Sequence, residues 1–353
     1  MGIVFAIIIF SLLIFVHELG HFMAAKASGV QVNEFAMFMG PAIFKWQRGE
    51  TQYSIRCIPL GGYCAMEGED EDTENPRSFQ KAAWWKRLII LVAGSAMNFI
   101  TGFLIFALVL APSKGYAEPV IVEAEHGCTV VAEDGLHIGD RLLEIDGHRV
   151  YVASDAGMLL DVYADETHDL LVERNGEKLL LDDFYMQRHN FPDAKGKLTQ
   201  RYGIRFGYVQ RNFSNGIRCI WNNCLSVVQS VKISLQMLVT GQAGLNDVAG
   251  PVGIVQMMSD TAQASDTTKD AILNLLYFGG FIAVNLAVMN MLPIPALDGG
   301  RVVALLLTTA IEKILRRKLN PKYEGYIHAA GMVILLAFMA VVMFKDIFVI
   351  FKG

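Results

Sequence analysis

Four residues spread over most of the chain have the side-chain types needed to hold a metal ion and activate water beside it. Three lie together in the run His17-Glu18-Leu19-Gly20-His21. On an α-helix, positions i and i+4 share a face one turn apart, so His17 and His21 can present two ring nitrogens to one divalent ion. Glu18 leaves the helix at another angle, close enough to reach a water without ligating the metal. Catalytic zinc needs a further protein ligand and an open position. The candidate is Asp298, in the run Asn290-Met291-Leu292-Pro293-Ile294-Pro295-Ala296-Leu297-Asp298-Gly299-Gly300. Read separately, the histidine pattern recurs by chance and Asp298 suits a helix cap. Their setting separates these readings.

That setting is apolar. Hydrophobic residues make up 53% of the 353, charged residues 18%, and the mean hydropathy is +0.37. The run Ile3 to Val16 leads straight into His17, and two histidines and a glutamate at membrane depth are costly unless paired or solvated. A metal and a water-filled pocket satisfy them. A net charge of -5 and a pI near 5.9 exclude the basic face of a nucleic-acid binder. Four segments reach the roughly 20 residues that cross a bilayer, about Ile3–Lys26, Leu88–Ala111, Ala271–Leu292 continuing past a break toward Ile311, and Ile327–Phe348. The first lacks a basic start and a cleavage site, so it is expected to remain in the mature protein. Prolines and glycines free backbone groups in the third segment, and such breaks survive only buried in protein or against a wet cavity.

The expected fold is a polytopic α-helical membrane protein with an inserted β-rich domain. Its expected parts are helix 1 (1–28), a cytoplasmic loop with a membrane-associated β-hairpin (29–86), helix 2 (87–112), the β-rich domain (113–210), an interfacial helix and linker (211–270), helix 3 with its break (271–315) and helix 4 (316–353). Arg77, Lys81, Lys86 and Arg87 precede the second span, and Lys313, Arg316, Arg317, Lys318 and Lys322 precede the fourth. Both connections are therefore expected in the cytoplasm, and the β-rich domain outside it. Within that domain, Pro119–Ala124, Arg141–Asp146, Asp169–Glu173, Lys178–Leu181 and Tyr202–Gly207 read as strands, with Asn175-Gly176 as a hairpin turn. Leu136–Val150 resembles a PDZ core, with Gly127–Gly135 as its candidate peptide-binding loop. Ile217–Leu245 has helical apolar spacing interrupted by Trp221, Asn222, Asn223, Gln229, Lys232 and Gln236, which suits a helix at the interface. Thr51–Cys57 alternates and leads to Pro59, Gly61 and Gly62, a hairpin whose edge suits an unwound peptide. Five cysteines leave at least one unpaired.

The two motifs, with Phe38–Pro41, Pro59–Tyr63, Gly68–Asp72, Arg77–Phe79 and Ala93–Phe99, resemble the site-2 protease family of intramembrane zinc metalloproteases, in its regulator of sigma-E protease branch. The resemblance spans most of the chain. It implies Zn2+ on His17, His21 and Asp298, Glu18 as general base, and a substrate backbone near Asn290, Pro293 and Pro295, with Gly61 and Gly62 of the hairpin beside it. It further implies the bacterial inner membrane, and single-span substrates already cut outside, such as anti-sigma factors or remnant signal peptides. The chain departs from the family in two places: Gly94-Ser95 stands where Gly-Pro is usual, and the external region has room for about one PDZ domain rather than two. The competing reading is a catalytically silent scaffold with structural zinc and a PDZ-like partner-binding module, for which Glu18 has no use. A zinc transporter is the third, and spans two and four carry few polar residues for it.

Overall fold

The computed structural model describes residues 2–69, 73–125, 128, 130–131, 135–163, 166–192, 198–244, 248–265, 267–316 and 322–352. The chain divides into two compact units, Met1–Ile105 with Ser230–Gly353, and Phe106–Gln229.

In the first unit, helix α1 (Gly2–Ser28) is followed by strands β1 (Val32–Arg48) and β2 (Thr51–Met66), then by α2 (Trp84–Leu110). Gly29, at φ +83°, closes α1, and the Val30 N–H returns to the Ala25 carbonyl at 3.0 Å. Glycines set how closely the helices approach. A Cβ on Gly20 would come within 2.4 Å of the Ala93 carbonyl oxygen, and one on Gly102 within 2.6 Å of Val284. Close backbone approach of this kind substitutes for a hydrophobic driving force inside lipid.

The unit closes with the C-terminal part of α4 (Phe213–Thr240), then α5 (Pro251–Gln263), α6 (Thr268–Asn290), α7 (Asp298–Leu315) and α8 (Lys322–Lys352). Ala6, Ile9 and Leu13 of α1 share a buried cluster with Met258 of α5 and with Leu275, Ile282 and Ala283 of α6. Among the described residues, four helices are long and apolar enough to cross a membrane: Val4–Ser28, Trp84–Leu110, Thr268–Asn290 and Gly325–Asp346. The third segment is interrupted as its prolines and glycines required. α6 ends at Asn290 and the chain turns so tightly that Cβ atoms on Gly299 and Gly300 would lie 2.2 Å from the Met291 and 2.3 Å from the Ile294 carbonyl oxygens.

The hairpin has an irregular register. Phe35, Ala36 and Met37 pair both with Tyr53–Ile55 and with Gly62–Cys64, so the turn-side half of the ribbon curls back on its base. Ile43, Phe44 and Trp46 stand exposed near its tip. At its base, burial alone would raise the Glu34 carboxyl, but hydrogen bonds from Ser54, Arg56, Tyr63 and Gln52 outweigh it and hold the group down at about 2. A carboxyl that titrates below its unfolded value of 4.5 contributes in full above that pH and loses its contribution as pH falls toward 2. Hydrogen-exchange protection of the hairpin amides should therefore be level above about pH 5 and fall below it. Glu34→Gln should flatten that profile; an unchanged profile would detach the network from hairpin stability.

The second unit pairs strands in the order β10 (Ile204–Gln210), β3 (Gly115–Ala124), β4 (Arg141–Ile145), β6 (Thr167–Arg174) and β7 (Glu177–Tyr185), with β5 (His148–Arg149) beside β4. Each expected strand run falls largely within one of these. Asn175 and Gly176 both take positive φ, +52° and +85°, the conformation a two-residue hairpin turn requires. α3 (Ala153–Val162) packs on β3 and β4, and its Leu159 and Leu160 are buried, as are Ile121, Leu142 and Ile145 of those strands. β8 (His189–Pro192) and β9 (Leu198–Arg201) form a separate pair. Asp140, fully buried, receives Arg174 through two bonds of 2.7 and 2.8 Å and caps the turn at His137. The Gly127–Gly135 loop lies mostly outside the described residues.

Polar residues in the N-terminal part of the Ile217–Leu245 segment have partners in this unit. Asn222 donates to the Tyr151 carbonyl, Ser226 to Asp155 at 2.5 Å, and Gln229 to the Arg149 carbonyl at 2.7 Å. They anchor the N-terminal part of α4 to the β-rich unit. All five cysteines are free thiols.

Candidate metal centre

α1 places the His17 and His21 rings one turn apart, with centroids 4.8 Å from each other. The break after α6 delivers Asp298 to them from the far end of the sequence. Asp298 Oδ2 lies 3.1 Å from His17 Nε2 and 3.3 Å from His21 Nε2, and the two Nε2 atoms are 3.2 Å apart. Nitrogen and oxygen ligands at zinc distances and tetrahedral angles are separated by about 3.3 Å. The observed triangle has that size.

Its electrostatics point the same way. His21 Nδ1 lies 2.8 Å from the Ile90 carbonyl oxygen of α2, which can only accept, so Nδ1 carries the proton and Nε2 faces the centre as a lone pair. Asp298 Oδ2 is enclosed and receives no hydrogen bond. Lone pairs converging on one point repel, and a cation between them removes the conflict. The side chains of His17, His21 and Asp298 are 12%, 9% and 20% exposed.

α2 forms the wall behind the triangle. A Cβ on Gly94 would fall 2.3 Å from His21 Nε2 and 2.7 Å from His17 Cε1, within the space a metal needs. Behind His17, the amide nitrogens of Asn98 and Asn290 lie 3.4 and 3.5 Å from Nδ1. Asn98 is buried, and its Oδ1 has no partner. Oxygen and nitrogen of an amide are assigned from their surroundings, and a half-turn of Asn98 sets Oδ1 to accept from His17 Nδ1–H. That turn satisfies both groups and leaves His17 Nε2 free for a metal.

Glu18 leaves α1 toward the base of the hairpin. A Cβ on Gly62 would stand 3.2 Å from Glu18 Cγ and 3.1 Å from the Ala36 carbonyl oxygen, so a larger residue would press both neighbours by a few tenths of an ångström. The Cys64 N–H is within hydrogen-bonding reach of the Glu18 carboxylate. A cavity of about 670 Å³ opens in front, lined by His17, Glu18, His21 and Asp298, by Tyr63–Glu69 of the hairpin, and by Ala296, Arg301 and Met332. Arg301, one turn beyond Asp298 on α7, pairs with Glu69 across it.

The structure thus brings together the four residues singled out for metal and water chemistry. Of the five expected to touch a peptide backbone, Gly61 and Gly62 lie in the strand facing Glu18, Asn290 lies behind His17, and Pro293 and Pro295 shape the turn; none of the five lines the cavity. Sequence reasoning passed over the Ile90 carbonyl, Asn98 as a support for His17, and the Glu69–Arg301 pair. The spacing of Arg301 from Asp298 was readable. A backbone carbonyl leaves no sequence trace.

Fold and geometry together are those of a protein with four membrane-competent helices and a two-imidazole, one-carboxylate triangle able to hold a metal ion. The family described as peptidase family M50 matches residues 5–338. A Clostridium perfringens protein, provisionally named a zinc metalloprotease, is 35% identical over 349 residues, covering 98% of each chain. The zinc metalloprotease RasP of Bacillus licheniformis is 28% identical and the regulator of sigma-W protease RasP of Bacillus subtilis 26%, each over 97% of both chains. The chain belongs to peptidase family M50, the site-2 protease family, and with it to the zinc metalloproteases.

Proposed function

We propose that this protein is an intramembrane endopeptidase that cuts peptide bonds in the transmembrane segments of single-span substrates. His17, His21 and Asp298 hold the zinc, and Glu18 is the general base. The observation that carries this reading is a ligand triangle of zinc dimensions beside a carboxylate that is not part of it. A structural zinc has no use for that carboxylate.

When bound, zinc supplies Lewis acidity, making the scissile carbonyl more electrophilic and water more acidic. Glu18 takes the proton of the attacking water and delivers it to the amine nitrogen as the C–N bond breaks. The helical backbone of a membrane segment shields its peptide bonds with its own hydrogen bonds, so the substrate must first unwind. Gly62–Met66 pair on one side with β1 and with no other strand among the described residues, and part of this stretch lines the cavity. An extended substrate added along that edge would satisfy its own backbone while its carbonyl approached the centre.

The proposed parts follow the boundaries set out above, with the exposed apolar tip of the hairpin lying at the bilayer and the β-rich unit serving outside as a PDZ-like filter. Anti-sigma factors trimmed on the outside suit such a site, in keeping with the sigma-W regulator among the relatives. The basic residues before the second and fourth spans support both termini outside, and the bacterial relatives support an inner-membrane location. Under this topology, cysteine reporters at positions 113 and 234 label from the same side; labelling from opposite sides would invert the last two spans.

The test of function is cleavage of a single-span test substrate by purified protein in detergent. Turnover that stops with a chelator and returns with zinc is expected. A protein that binds the substrate and never cuts it would instead be a scaffold. Asn98→Ala should weaken zinc about 10–100-fold by removing the acceptor behind His17. Unchanged affinity in chelator competition would leave Asn98 a packing residue.

A further inference from the structure

Helix α8 brings an ionisable side chain into the last membrane segment, His328, which is 9% exposed. Such a residue is costly in lipid and is retained where it has a partner. Its Nδ1 accepts a hydrogen bond from the Ala296 N–H at 3.2 Å. Ala296 sits in the break before α7, at φ +84°, a left-handed conformation unusual for a residue with a side chain. Breaks of this kind survive within a membrane only where protein or a wet cavity takes up the freed backbone groups, and here the His328 ring takes the Ala296 N–H. One turn further along α8, a Cβ on Gly331 would come within 2.4 Å of Pro295 Cβ, and Met332 beside it reaches the cavity. One face of α8 is thus shaped to seat the break, two residues ahead of Asp298.

We propose that His328 is a positioning residue for the metal centre: through Nδ1 it fixes Ala296 in its left-handed turn and so sets Asp298 at the apex of the ligand triangle. Because Nδ1 accepts, the imidazole carries its proton on Nε2. The inference rests on the zinc site proposed above, and the atom involved makes it testable. An asparagine side chain can place an oxygen near the position of Nδ1, whereas glutamine reaches toward that of Nε2.

Zinc release to a chelating dye and cleavage of the single-span substrate should be measured for H328N, H328Q and H328L. H328N is expected within about threefold of the unaltered protein on both readouts, while H328Q and H328L release zinc at least about tenfold faster and lose about tenfold in kcat with KM little changed. Equal behaviour of H328N and H328Q, or unaltered zinc release in H328L, overturns the proposal. If H328L does not fold, the asparagine and glutamine variants decide it. Zinc release is read without cleavage, so failure of the unaltered protein to cut would count against the protease reading while leaving this arm in force.

Discussion

Glu18→Gln should keep its zinc and lose cleavage, by about 10²–10⁴-fold or more, the range a positioned proton-transfer group supplies. The substitution preserves volume and leaves an oxygen able to accept from the Cys64 N–H, so the approach of the hairpin at Gly62 is undisturbed. It also leaves the triangle of His17, His21 and Asp298 intact, because Glu18 is not one of its corners. What disappears is the capacity to take a proton from water and pass it to the departing nitrogen. Zinc content by mass spectrometry and turnover of the single-span substrate separate the two roles. Loss of zinc would make Glu18 a ligand, and substantial remaining turnover would remove it from the proton path.

Gly94→Ala should be nearly as damaging through a different route. One methyl group 2.3 Å from His21 Nε2 cannot be accommodated without moving α2 or the imidazole. The imidazole is held from behind by the Ile90 carbonyl of the same helix, four residues earlier, so retreat of α2 would carry the support away as well. A loss of zinc affinity beyond the 10–100-fold typical of a disturbed supporting contact is expected, about 100-fold or more. Gly102→Ala, which meets Val284 at 2.6 Å about two turns further along α2, controls for damage to helix packing. Equal zinc affinity in the Gly94 variant and the unaltered protein would mean that the wall yields.

The four membrane-competent helices and the β-rich insertion were legible because they depend on composition and period, which the chain states directly. The break after Asn290 was legible from Pro293, Pro295, Gly299 and Gly300, residues with few conformational options. His17 and His21 announced themselves through helical spacing. The supports of the site were harder to read. Asn98 stands among small and apolar residues of α2, and nothing local marks the partner it faces across 81 positions of sequence. His328 is equally silent, since its meaning lies in a strained Ala296 that no propensity predicts. Of the polar interruptions of α4, Asn222 and Gln229 bond the Tyr151 and Arg149 carbonyls, and Ser226 between them bonds Asp155. Polarity in an amphipathic helix shows that a partner is needed without showing which one.

Zinc-edge X-ray absorption on the purified protein tests the shared site most directly. Two imidazoles and a carboxylate predict a first shell of nitrogen and oxygen at about 2.0–2.2 Å, with imidazole multiple scattering that persists in Asp298→Ala while the coordination shell shrinks. A sulfur neighbour near 2.3 Å, which would implicate Cys64 on the cavity wall, or a spectrum indifferent to Asp298→Ala, would contradict the centre described here.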